Sequence, residues 1–300
     1  MRIQANGIGI EVDDQGPPDS PGGPPIVMIM GLGMQLTAWP EPLVRLLVSR
    51  GRRVVRFDNR DAGLSQSFDH LGTPHLMWAV LRYMMHLPVR APYTIADMAG
   101  DTLGVLDALG LQRVDLVGAS MGGMIAQHLA AEQPQRVARL TLMMTTSGAR
   151  HLPQPSTRTR AALLDRRPVD PRRPDELVDR LERVFTMIGS PAYRPQGEAE
   201  RDAFRQRLRA SVTRAYHPAG VVRHILAVVA DGDRSPLLAR IAAPTHIVHG
   251  AADPLVPVAA AHDLHAKIAG STLEVVEGMG HDLPPPLWPR LADSIVSVTH

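Results

Sequence analysis

The feature that most constrains this chain is an alternation. Short apolar runs, "IVMIMG" (26–31), "RVVRFD" (53–58), "VDLVGA" (114–119), "LTLMMTT" (140–146), "THIVHG" (245–250) and "TLEVVEG" (272–278), are separated by stretches of helical periodicity. The helical patterns fall at 41–50, 95–109, 121–133, 259–268 and 287–298. Each run is too short for a buried helix and mostly apolar on both faces, as a strand covered on both sides must be. Strands of that kind joined by helices predict a mostly parallel central sheet flanked by helices, with right-handed crossovers. Before them, "IQANG" and "IGIEVD" flank Gly7 and read as a pair of strands, followed by a Pro- and Gly-rich loop, "QGPPDSPGGPP".

The alternation stops after the sixth strand. From 150 to 240 the sequence offers helical patterns such as "PDELVDRLERVFTMIG" and "PAGVVRHILAVVADG" and no strand. The expected organisation is a core in two parts, 1–149 and 241–300, with a helical cap inserted at 150–240. The insertion carries 18 Arg against 11 Asp and Glu, in a chain whose net charge is only +2. Without basic-aromatic interleaving or a nucleic-acid motif, that surplus reads as solvated helix faces, and no nucleic-acid partner is expected. A second irregularity, "HLMWAVLRYMMHL" (75–87), is amphipathic and rich in Met and aromatics.

Composition removes whole classes of chemistry. There is no cysteine, which excludes disulfides, thiolate metal sites and a cysteine nucleophile. The start has no apolar core of signal-peptide type, and "IVMIMGLGM" is too short to span a bilayer. A soluble cytoplasmic protein without an integral membrane segment is the expectation. His262 and His265 stand three apart but lack a third ligand, so no metal and no cofactor is expected. No feature of the sequence fixes an oligomeric state.

Chemistry concentrates at "DLVGASMGGMIAQHLA" (115–130). Gly118 and Gly122 stand two residues to either side of Ser120, between a strand-like and a helix-like run. This is the G-x-S-x-G elbow, in which a sharp strand–turn–helix exposes a nucleophile and small neighbours let the backbone pass close by. A bland alternative is a serine capping a helix. A serine nucleophile needs a histidine base, and the base needs an acid to hold its tautomer. His281 lies in "EGMGHDLP", just after the last strand, and Asp253 in "HGAADPLVP", after the strand before it. All three fall at the carboxyl ends of strands, where such sheets bind ligands. Asp282, Asp231 and Asp233 are weaker candidates for the acid, and Thr145, Thr146 and Ser147 occupy another strand end where one could sit. His246 and His128 have bland places in a strand and a helix. For the oxyanion, the backbone N–H groups of Met121 and of Leu32, in "MGLGMQ", are the expected donors, with Gly31 and Gly33 allowing close approach.

The chain resembles the α/β-hydrolase fold superfamily along most of its length, through "MGLGMQ", "FDNRDAGLS", "VGASMGGMIA", "HGAADPLVP" and "EGMGHDLP". It is most similar there to aclacinomycin methylesterase-type and related bacterial serine carboxylesterases. Met30-Gly31 stands where many members have His-Gly; the donor is a main-chain N–H, so the hole should survive. Arg60 and Asp61 read as loop-fixing ion pairs. The resemblance implies a serine esterase acting on small to medium carboxylic esters through an acyl-enzyme on Ser120. Alternatives with the same triad are methyl-ester, lactone or enol-lactone, carbon–carbon bond hydrolysis and perhydrolysis; a hydrolase-like ligand receptor is the non-enzymatic one. Met34, Trp78, Met85, Met124 and Met279 are candidate pocket residues, although plain core packing explains the same side chains.

Overall fold

Asn6 and Gly7 both adopt left-handed backbone (φ 50° and 76°), which turns β1 (Arg2–Ala5) into β2 (Ile8–Gln15) as an antiparallel hairpin. The hairpin is one edge of an eight-stranded sheet in a computed structural model that describes residues 1–73, 76–163 and 174–296. The remaining strands are β3 (Ile26–Ile29), β4 (Val54–Phe57), β5 (Val114–Ala119), β6 (Val137–Met143), β7 (Thr245–Gly250) and β8 (Thr272–Val276). Their order is β1-β2-β4-β3-β5-β6-β7-β8; β2 runs antiparallel to β4, and every later pairing is parallel.

Every residue of β3, β4 and β5 is buried, which is why their sequences show no polar face. Alternate side chains go to opposite layers, as the pleat requires. Val27, Ile29, Val114 and Leu116 join one core, with α3 (Ile95–Ala108), α4 (Met121–Glu132) and α10 (Ala259–Lys267). Ile26, Met28, Val117 and Ala119 join the other, with α1 (Glu41–Ser49) and α11 (Trp288–Val296). The chain thus has the α/β architecture that its strand–helix alternation predicts.

Two segments differ by three residues at an end. Strand β6 starts at Val137 and ends at Met143, against the expected 140–146. Arg139 hides its start by interrupting the apolar run, and its guanidinium donates to the Val296 carbonyl. The end is set by Met144, whose φ of 49° breaks the extended backbone. In the "HLMWAVLRYMMHL" segment, α2 covers Leu76–Met84, whereas His75 lies outside the described residues.

Between β6 and β7 come α5 (Thr157–Leu163), α6 (Pro174–Ile188), α7 (Glu198–Arg214) and α8 (Pro218–Asp231), then the short α9 (Ser235–Leu238). The two ends of this helical stretch meet at a stem: the Arg234 N–H donates to the Ser147 carbonyl at 2.8 Å. Part of the arginine surplus is paired locally, with Arg205 on Asp179 and Glu182 and Arg209 on Asp175.

Candidate active site

Strand β5 delivers Ser120 to the start of α4 with φ 55° and ψ −120°, a conformation that costs a non-glycine residue roughly 1–3 kcal/mol. Neighbouring backbone holds it there. The Ser120 N–H donates to Met143 O (2.9 Å), and the Thr145 hydroxyl donates to Ser120 O (2.7 Å). The flanking glycines are sterically required: a Cβ on Gly118 would lie 2.4 Å from Gly122 O, and one on Gly122 only 2.1 Å from Ile29 O. Although Ser120 occupies the N-cap position of α4, its side chain makes no capping bond. Its hydroxyl instead lies 3.1 Å from His281 Nε2.

The other imidazole nitrogen, Nδ1, is 2.7 Å from Asp253 Oδ2. A carboxylate can only accept, so Nδ1 carries the proton and Nε2 is left to accept from the serine. Asp253 is itself fixed, because Oδ1 accepts the N–H groups of Leu255 and Val256, each at 2.8 Å. His249 lies 3.7 Å from the same carboxylate; burial pushes its imidazole down, and its Nε2 meets the Val256 carbonyl at 2.8 Å.

The rival acid Asp282 is engaged elsewhere. Its Oδ1 accepts the Ser190 N–H at 3.0 Å and the Ser190 hydroxyl. Burial pushes this carboxyl up from the ordinary range, and the Ser190 bonds only partly offset that. Ser190 Oγ also accepts the Gly280 N–H (2.8 Å), and the His281 N–H donates to Ile188 O (2.7 Å). Residues 188–190 of the helical stretch therefore brace the loop that carries His281. Asp231 and Asp233 are committed outside the site, to His128 and Arg234 and to Ser235 respectively.

Facing the serine is the turn Gly31-Leu32-Gly33-Met34, closed by the Met34 N–H on Gly31 O at 3.2 Å. A Cβ on Gly31 would sit 3.1 Å from Ser120 Cβ, so this loop runs directly past the nucleophile candidate. Met121 is the first residue of α4, where an N–H has no partner within the helix and the dipole favours negative charge.

Residues 24–284 match the alpha/beta hydrolase fold family. The chain belongs to that family. Among curated relatives it is similar to the rhodomycin D methylesterase DauP of Streptomyces sp. (strain C5), 28% identical, covering 93% of this chain and 92% of the relative. The corresponding DnrP of Streptomyces peucetius is 27% identical with the same coverage. Among solved structures, the enol-lactonase of Burkholderia xenovorans LB400 superposes with a TM-score of 0.72 at 21% identity, covering 99% of both chains.

Within this hydrolase fold the remaining predicted residues scatter. Met124 is buried in the α3/α4 core and Met279 in the α1/α11 core, while Met34 is half-buried against the latter. Trp78, on α2, and Met85, just beyond it, lie at the surface, 66% and 59% exposed. Arg60 pairs with Asp101 (2.6 Å), and Asp61 pairs with Arg223 (2.7 Å) and accepts the Tyr93 hydroxyl (2.7 Å). Sequence reasoning missed Ser190, Arg223 and His224, which bring the helical stretch into the site. The available signal was "VVRHIL", a charged and a polar residue in mid-helix among apolar ones. No helix among the described residues is long and apolar enough to cross a membrane.

Proposed function

We propose that this protein is a serine hydrolase that cleaves small to medium carboxylic esters, with Ser120 as nucleophile, His281 as general base and acid, and Asp253 as the orienting carboxylate. The observation that carries the reading is the 3.1 Å approach of Ser120 Oγ to a histidine nitrogen whose partner nitrogen is bonded to a buried aspartate. Ser120 Oγ attacks the ester carbonyl as His281 Nε2 takes its proton. The resulting imidazolium is stabilised by Asp253, and the Leu32 and Met121 N–H groups receive the oxyanion. Collapse expels the alcohol, which His281 protonates. Water then repeats the sequence on the acyl-enzyme and releases the acid.

In this reading α5–α8 act as a cap that sets substrate choice. Two contacts support it: residues 188–190 back the His281 loop, and Val221 of α8 lies against Gly33, where a Cβ would meet it at 2.8 Å. A narrower reading, hydrolysis of the methyl ester of a larger acid, is favoured by the two rhodomycin D methylesterases, which match over nearly the whole chain.

A fluorophosphonate should add its mass to Ser120 alone. Ser120→Ala should lose activity on p-nitrophenyl butyrate by up to about 10⁶-fold with an unchanged circular dichroism spectrum. A variant that keeps more than a few per cent of the rate would refute the nucleophile. Methyl esters, enol-lactones and diketones measured beside acetyl to octanoyl esters separate the substrate classes.

A further inference from the structure

We propose that His224, on α8, is a positioning residue for the oxyanion loop: it bridges the Gly33 N–H and the Arg60 carbonyl, and so fixes the peptide that follows Leu32. The inference rests on the serine-hydrolase reading above. The Gly33 N–H donates to His224 Nδ1 at 3.1 Å, and His224 Nε2 meets the Arg60 carbonyl at 2.7 Å. A carbonyl can only accept, so Nε2 carries the proton and Nδ1 has the lone pair that Gly33 needs. Both nitrogens are satisfied within a fully buried side chain.

The place of that bond matters. Gly33 is the third residue of the Gly31–Met34 turn and has φ +67°, as a type II turn requires there. The central peptide of such a turn, Leu32 to Gly33, is the one whose flip converts it to another turn type. A bond to the Gly33 N–H selects one orientation of that peptide and anchors the turn to α8; the Leu32 N–H belongs to the preceding peptide, Gly31 to Leu32, which is held beside Ser120 through that anchored turn. Nothing within the turn supplies this restraint; it comes from a helix 191 positions later.

The surroundings keep the imidazole in the neutral form that can accept. Burial pushes His224 down to about 4, and the Arg60 carbonyl and the Asp61 carboxylate only partly oppose this. Tyr93 packs its ring edge-on at 6.2 Å. The adjacent Arg223 is clamped bidentately on Asp61, at 2.7 Å for both bonds, which fixes α8 in register with the 58–66 loop. His224 touches no reacting atom, so its effect has to act through the loop.

The test compares His224→Leu, which leaves both partners unpaired, with His224→Gln, whose amide keeps one acceptor and one donor. For His224→Leu, kcat should fall about 10²-fold with little change in KM, the penalty for misaiming a group by about an ångström. Affinity for a trifluoromethyl ketone, whose adduct places an oxyanion in the hole, should fall in parallel, and His224→Gln should recover most of both losses. In the wild type, ¹⁵N NMR should find the neutral imidazole with its proton on Nε2 at pH 7. A Leu variant with unchanged ketone affinity, a Gln variant as impaired as Leu, or an Nδ1–H tautomer overturns the inference. The tautomer decides even where the Leu variant does not fold. If the wild type neither labels with fluorophosphonate nor turns over ester, both readings fall; if it does both, a negative variant result overturns the His224 inference alone.

Discussion

The elbow around Ser120 and the seam between the helical stretch and the sheet are both tight, but they are built differently. At the elbow five consecutive residues suffice, because the constraint is steric: strand, turn and helix converge so closely that Gly118 and Gly122 cannot carry a Cβ. At the seam the constraint is polar, and the partners lie far apart in sequence. Asp61 meets Arg223, Gly33 meets His224, and Asp282 meets Ser190. A steric requirement leaves a mark at fixed spacing. A hydrogen bond between distant segments leaves only an unexplained polar residue on each side.

The largest expected effect sharpens the contrast at the two aspartates flanking His281. Asp253→Asn should cost about 10⁴-fold in kcat, since an amide favours the wrong imidazole tautomer. Asp282→Asn, bonded to the seam and not to the imidazole, should act mainly on thermal stability. Equal losses of kcat would erase the distinction between the two acids.

Next comes the seam itself. Asp61 and Arg223 are both fully buried, and Arg223→Met strands a carboxylate away from water. The expected destabilisation is about 3–5 kcal/mol in urea, partly recovered by adding Asp61→Asn. A loss below about 1 kcal/mol would mean that the seam is not a structural joint.

These contacts also mark how far the sequence could be read. The eight strands, the layers and the convergence of Ser120, Asp253 and His281 were legible, because burial on both faces and G-x-S-x-G spacing are local signals. The start of β6 was hidden by Arg139, a charge whose carbonyl partner lies 157 positions away. Trp78 and Met85 looked like pocket residues because amphipathic spacing reports that a helix has two faces and not which neighbour each one meets. His224 was legible only as an oddity within "VVRHIL".

A smaller effect tests the elbow's geometry without touching its chemistry. Gly122→Ala drives a methyl group onto the Ile29 carbonyl and should destabilise by about 3 kcal/mol, the upper end of overpacking costs. A neutral substitution would mean that the backbone is looser there than the 2.1 Å approach implies.

The smallest effect is a pH dependence of the seam. His224 is held at about 4 when folded, below its ordinary 6.5. Between these values the unfolded chain binds the proton and the folded one does not, so this contribution makes stability rise with pH. It falls by about 2 kcal/mol from pH 7 to pH 5 and levels off below the folded value. Unfolding free energies from urea titrations of wild type and His224→Gln should therefore converge by about 2 kcal/mol on acidification from pH 7 to pH 5; parallel curves would show that the imidazole is not held neutral.

The stem at Ser147 and Arg234 has a consequence for how such a chain can diverge. One backbone bond closes residues 148–233 into a loop, so the cost of a change in its length at the stem is a closure entropy. Doubling that length costs only about 0.6 kcal/mol. Descendants could lengthen or shorten the loop without re-engineering the strands beneath. Their freedom ends at the few side chains that reach back into the site. Arg223, His224 and Ser190 are where a graft from another lineage would have to match.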